Sequence, residues 1–276
     1  MSAAGQGLTQ EQAAVFETFV VPGYLTLFGE PLLEQLVPAR DARVLHLDCR
    51  TGYPDRALLV RLPNAHVFGV DASEHAIGLA RTKASTVSRD NADVVFDYRV
   101  ATSYPLAFPD GAFSHTIALH PSPGDRGGLL RELARLTAPR GQSLLALPMR
   151  GSFAPVFDLL RECALKFDLT VLEAAVDAIE RARPTDDMLA HELTSAGFRR
   201  VTVEVHQRSL RYPSGRAWFE DPIVRLLLRP ALASLLPADL GVDPVAHLRD
   251  AIDKYWSDGS FELPVQVGVA SCRRNS

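Results

Sequence analysis

The 276-residue chain is poor in cysteine, with three, and in tryptophan and methionine, with two and three. Cys49, Cys163 and Cys272 are odd in number, far apart and free of any C-x-x-C spacing. That pattern argues against a disulfide framework and a zinc site, and it fits a reducing compartment. Basic charge is not in excess either: 29 Lys and Arg stand against 33 Asp and Glu, a net charge of −4. A nucleic-acid or anionic-membrane partner would favour a basic face and gains no support. The pairs Arg199-Arg200 and Arg273-Arg274 read as solvated element ends. No apolar run approaches the ~20 residues of a membrane helix, and Met1 to Gly7 lack a basic segment leading into an apolar core. The expectation is a cytoplasmic protein with neither membrane nor nucleic acid as partner. What remains, 47% hydrophobic and 22% charged residues, suffices for one large α/β domain with a helical addition.

The chain is organised around Arg43-Val44-Leu45-His46-Leu47-Asp48-Cys49-Arg50-Thr51-Gly52. An apolar run without helical period breaks at Asp48, and Thr51-Gly52-Tyr53-Pro54 follows, which reads as strand, tight turn and helix start. A nucleotide-type cofactor site opens this way in an α/β sheet, with glycines admitting the ligand to the backbone and the next helix N-terminus offering free N–H groups. Val44 to Gly52 resembles the first motif of class I S-adenosylmethionine (SAM) dependent methyltransferases of the ubiquinone/menaquinone-biosynthesis-like branch, whose usual form is V-L-D-V-G-C-G-T-G. Val44, Leu45, Cys49, Thr51 and Gly52 match. His46 replaces an acid, and Asp48 and Arg50 replace the first two glycines.

Along the chain, Thr9-Gln10-Glu11-Gln12 has the capping-box form and opens a helix that Pro22 and Gly23 are expected to stop. A second helix, bent or restarted at Pro31, is expected from Tyr24 to Val37. After the first strand, helix 54–62, strand 65–70 and a helix capped by Ser73 complete a β-α-β unit, which implies parallel strands and a right-handed crossover. Strands 93–100 and 113–119 follow. Between them Tyr104 to Phe113 is similar to the family's L-P-F-P-D-G-S-F-D turn, and Ala138-Pro139-Arg140-Gly141 stands at its R-P-G-G. Helix 126–136, strand 142–147, helices 152–167, 170–181 and 185–196, strand 200–206, a helical block 213–258 and a last strand 262–272 complete the reading. That block is punctuated by Pro222, Pro230, Pro237 and Pro244.

The resemblance implies a doubly wound, mostly parallel seven-stranded sheet of the class I methyltransferase (Rossmann-like) type. The single domain would comprise a helical lead-in at 9–37, a cofactor-type half at 43–148, the rest of the sheet at 149–212 and 262–272, and a helical insertion at 213–258. It also assigns candidate SAM contacts: Gly52 by its backbone, Asp71 to the ribose, and Thr102 with Ser103 where the family's adenine-reading acid stands. Asp71 reads equally as a helix-start residue. Ser114 replaces a further aspartate. Asp48 and Arg50 either obstruct the cavity, with Arg50 lying across it in a salt bridge to Asp48 or Asp71, or swing to solvent. His120, in His120-Pro121-Ser122-Pro123, is the candidate general base or else part of a rigid exposed loop. Trp218, Phe219, Tyr255, Trp256 and Phe261 line a pocket or fill core.

The leading expectation is a methyltransferase-like protein with a degenerate SAM site, a non-catalytic relative acting through a protein partner or an altered ligand. The alternative is an active SAM-dependent methyltransferase of a small apolar molecule with a reshaped first loop. A changed cofactor whose extra anionic group Arg50 neutralises is the third. The 213–258 block, with its apolar segments Ile223 to Leu228 and Ala231 to Leu236, is the candidate surface for a partner or a second copy.

Overall fold

The computed structural model describes residues 7–122, 124–234, 241–257 and 259–275; Met1 to Gln6, Pro123, Leu235, Leu236, Pro237 and Asp258, which the sequence reading touched, lie outside them. The elements run α1 (Gln10–Val15), a wide π-helical segment (Phe16–Leu25), α2 (Thr26–Glu34), β1 (Arg43–Leu47), α3 (Asp55–Leu58), β2 (His66–Asp71), α4 (Glu74–Asp90) and β3 (Val95–Val100). Then follow β4 (Phe113–Leu119), α5 (Arg126–Leu136), β5 (Thr137–Pro148), α6 (Ala154–Phe167), α7 (Thr170–Ala182), α8 (Asp186–Ser195) and β6 (Phe198–Tyr212). The late block holds α9 (Gly215–Glu220), a π turn at Val224–Leu228, α10 (Arg229–Ala233) and α11 (Pro244–Tyr255), before β7 (Phe261–Arg274).

The strands form one seven-stranded sheet in the order β3-β2-β1-β4-β5-β7-β6, with β1 paired in parallel to β2 and β4, β2 to β3, and β4 to β5. The order reverses at β1, so the loops after β1, β2 and β4 meet at a topological switch point, where such sheets bind ligands. The last strand, β7, lies between β5 and the edge strand β6. β1 and β4 are buried along most of their length rather than at alternate residues, as strands covered on both faces are. The chain falls into two compact units, Met1–Leu147 with Asp186–Glu204 and Gly268–Ser276, and Pro148–Thr185 with Val205–Val267. Every candidate site residue lies in the first.

The lead-in departs from expectation. The Thr9 capping box forms, with the Thr9 hydroxyl accepting from Gln12 N–H and the Gln12 side chain accepting from Thr9 N–H. Pro22 and Gly23, however, do not stop the helix, and Pro31 does not restart it: helical structure runs without a break from Gln10 to Glu34. The reason is the π segment, whose wider turn accommodates the proline ring and its missing N–H inside a helix. The second difference is α3, a single turn where a helix to Leu62 was expected.

In the second unit, Trp218 and Phe261 are buried, so for them the core alternative prevails, whereas Tyr255 is half exposed. Ile223, Val224, Leu228 and Leu232 of the late block are also buried, and Leu226 and Leu227 are half-buried. The exposed apolar face anticipated there is therefore narrow among the described residues.

Candidate functional site

The site is built by the chain leaving β1. Cys49 N–H donates to Val70 O (3.0 Å) and Gly52 N–H to Cys49 O (2.8 Å), which ties the loop to the end of β2 and closes its turn. Asp48, Arg50 and Gly52 all have left-handed φ, at 51°, 47° and 79°. For a non-glycine residue this region costs about 1 kcal/mol, since Cβ crowds the following carbonyl. The loop thus keeps a glycine-type backbone while carrying two charged side chains.

Those side chains are placed by specific bonds. Asp48 Oδ2 accepts from Ser122 N–H (2.8 Å), fastening the loop to the segment after β4. The Arg50 guanidinium donates from Nη1 to Leu119 O (3.5 Å) and stacks 5.4 Å from the Phe16 ring of the lead-in. Arg50 therefore reaches from the β1 loop to the end of β4 under the lead-in helix. It forms no salt bridge with Asp48 or Asp71, the arrangement expected of an obstructing side chain; a carbonyl and a ring hold it instead.

Asp71, the candidate ribose acid, is spoken for by backbone: Oδ2 accepts from Arg50 N–H (2.9 Å) and Oδ1 from Ser73 N–H (2.8 Å). Burial pushes its pKa above the ordinary value of 3.8, against the downward pull of those N–H groups and of the Arg50 guanidinium. An acid whose folded pKa exceeds its unfolded one favours folding most below the unfolded pKa, and that contribution is lost as pH rises through the folded value. Arg50→Ala removes one of the downward pulls. The expected outcome is a further rise in the Asp71 midpoint, read from its side-chain carboxyl carbon by NMR, and an unchanged midpoint would show that the guanidinium does not act on Asp71.

Thr102 and Ser103 are exposed and have no hydrogen-bond partner among the described residues. Beside them Tyr104 is partly covered, and burial together with the fields of Asp48, Glu132, Asp125 and Asp71 raises its pKa. His120 is buried, which removes the exposed-loop alternative. Its Nε2 shares a hydrogen bond of 3.1 Å with the Tyr24 hydroxyl, and the Tyr24 and Phe28 rings meet it edge-on at 5.2 and 5.0 Å. The lead-in thus covers both the Arg50 loop and the end of β4.

Beneath the loop lies a network that sequence reasoning missed. His46 Nδ1 donates to Asp55 Oδ1 (2.7 Å), and the Tyr98 hydroxyl donates to Asp55 Oδ2 (2.8 Å). His46 and Asp55 are each 1% exposed. Register explains the meeting: His46 pairs with Gly69, and Gly69 with Tyr98, so the three share a row and a face of the sheet. A Cβ on Gly69 would collide with the Tyr98 ring, so glycine there lets the tyrosine lean toward Asp55. A carboxylate from α3 thus lies against position 46. Asp55 follows Pro54 at the start of a helix, where an acid passes for a dipole-stabilising residue; its burial was the missing signal.

Comparison with known proteins finds methyltransferase relatives for the part of the chain that carries this site. Residues 44–141 match the family described as Methyltransferase domain. The malonyl-acyl-carrier-protein O-methyltransferase of Halorhodospira halophila is 34% identical over 145 residues, 48% of this chain and 47% of that protein. The trans-aconitate 2-methyltransferase of Methylobacterium nodulans is 32% identical over 117 residues, 42% of each. The chain spans about half the length of the curated relatives it matches, or less. Among solved structures, a chain from the complex of the Haloferax volcanii Trm112 methyltransferase activator with a methyltransferase superposes with a TM-score of 0.53 at 16% identity, covering 100% of this chain and 99% of that one. At that identity the likeness shows the fold alone. Residues 44–141 thus carry the match to the Methyltransferase domain family, on a sheet of the strand order given above.

Proposed function

We propose that this chain retains the methyltransferase scaffold, closes the SAM-type site with its own side chains, and acts through a protein partner or an altered ligand rather than by methyl transfer. The observation that carries this reading is Arg50, whose guanidinium crosses from the β1 loop to Leu119 O beneath Phe16. Supporting it, the Asp71 carboxylate already accepts two backbone N–H groups, and Thr102 offers a hydroxyl where the family uses an acid. A SAM molecule would have to displace the guanidinium and compete for Asp71 at once. For the partner, the 213–258 block is the proposed surface, through the half-buried Leu226 and Leu227.

The second reading, an active methyltransferase gated by Arg50, is favoured by one feature. The left-handed φ at Asp48 and Arg50 preserves the backbone course of the glycine loop, so only a side chain stands in the way. Both curated relatives are named for organic acids, malonyl-acyl-carrier protein and trans-aconitate. In this reading the acceptor is an organic acid, in place of the apolar molecule expected from the sequence, and Arg50 supplies its counter-charge.

Calorimetric titration of the whole chain with SAM and S-adenosylhomocysteine separates the two. The first reading expects no saturable heat up to about 1 mM ligand, the weak end of ordinary enzyme affinities. Saturable binding at micromolar concentration, with labelled methyl appearing on an organic acid, would establish the second.

A further inference from the structure

A cavity of about 390 Å3 opens between α4 and β3, with Arg56 of α3 in its lining. Gly52 of the candidate SAM contacts lines its edge, whereas Asp48, Arg50, Asp71, Thr102 and His120 do not line it. Its volume falls within the ~300–1,000 Å3 of small-molecule sites. Ala80, Ala84 and Val87 line it from α4, at the spacing that puts residues on one helix face, and the two alanines leave the room. Phe96 and Tyr98 line it from β3, where alternate residues share a face, and their rings are parallel within 7° at 6.0 Å. Ala80, Ala84 and Tyr98 are buried, so the apolar part is the inner part.

Arg56 and Lys83 complete the lining from more exposed positions. Arg56 makes no ion pair among the described residues. Lys83 Nζ pairs with Glu17 Oε1 at 2.5 Å and donates to Thr51 O at 3.0 Å. With Lys83 offset by Glu17, the positive excess at the mouth beside the buried apolar surface is that of Arg56. We propose that this cavity binds a small amphipathic carboxylate, with its alkyl body among Ala80, Ala84, Val87 and Phe96 and its head against Arg56 and Lys83. Charge complementarity selects the anion, and a neutral apolar molecule of the same size would leave that excess uncompensated.

Occupancy would be felt in the methyltransferase-type site. Lys83 ties Thr51 of the β1 loop to Glu17 of the lead-in, the two elements that hold Arg50 from below and above. A carboxylate head drawing on Lys83 competes with both ties and loosens the cover over Arg50. Octanoate binding is read without SAM, so its outcome and that of the proposed function are distinguishable.

The test is calorimetric titration of the full chain with octanoate, with 1-octanol as the uncharged control. Saturable octanoate binding is expected, weaker by about tenfold or more for octanol and for Arg56→Ala, since each removes a charge-assisted contact. Ala84→Phe, which fills the inner cavity, is expected to abolish binding while circular dichroism shows a folded protein. Arg56 is exposed, so its variant decides the matter even if Ala84→Phe fails to fold. Absence of saturable octanoate binding, equal affinity for octanol, or unchanged affinity in folded Arg56→Ala would each overturn the proposal.

Discussion

Replacing Asp48 and Arg50 together by glycine is expected to raise the affinity for SAM by about a hundredfold or more over the unmodified chain. Removing a guanidinium held in the cavity and a carboxylate at its edge, each worth about 1.5 to 3 kcal/mol in charge-assisted bonds that SAM would otherwise have to break, supplies that factor. Stability is expected to stay within about 1 kcal/mol of the parent, because relief of left-handed strain at both positions offsets the entropy that glycine adds to the unfolded chain. That balance follows from the φ values of 51° and 47°; at negative φ the glycines would only have loosened the turn. Calorimetry on the folded double variant decides it. If the affinity does not rise, Arg50 is not what closes the site, and the losses at Thr102 and Ser114 become the cause. The Arg50→Gly single variant apportions the gain, since Asp48 acts mainly by fastening the loop to Ser122.

Asp55→Ala is expected to be the most destabilising single change in the first unit, at about 3 to 5 kcal/mol, the range found when one partner of a buried polar pair is removed. It strands the buried His46 Nδ1–H and the buried Tyr98 hydroxyl together. His46 Nε2 already has no partner among the described residues, so the imidazole cannot turn to another bond it holds. Tyr98→Phe removes one donor and leaves Asp55 bound to His46, so its expected cost is about 1 to 2 kcal/mol. Urea unfolding monitored at constant m-value measures both. Added to Asp55→Ala, Tyr98→Phe should cost less than it does alone, because its acceptor is gone. A loss below about 1 kcal/mol for Asp55→Ala would mean that the network is incidental to the fold. The same variant bears on function, since Asp55 sits under the loop that carries Arg50.

Much of this molecule was legible from its residues because the signals are local. The bounds of β4 and α5, Phe113–Leu119 and Arg126–Leu136, agree with those expected from the sequence. Thr9 and Ser73 cap the helices they precede, because a side-chain oxygen one turn from an orphan N–H needs no tertiary help. The motif from Val44 to Gly52 pointed to the Methyltransferase domain that residues 44–141 match, and the strand order places its loop at the switch point. Helix continuity through Pro22 was not legible, since a π turn is chosen by what the segment packs on rather than by propensity. The course of Arg50 was not legible either: the sequence gives a long cation at a glycine position, and only the fold brings Leu119 O and Phe16 within its reach. Likewise Asp71 looked available to a ribose until two backbone N–H groups converged on it, and Asp55 looked like a helix-start residue until parallel pairing set Gly69 between His46 and Tyr98. Periodicity and capping act over one turn or one pleat, so the chain states them directly. The occupancy of a cavity depends on side chains brought together from the lead-in, β1 and β4, whose separations along the chain leave no mark in any single stretch.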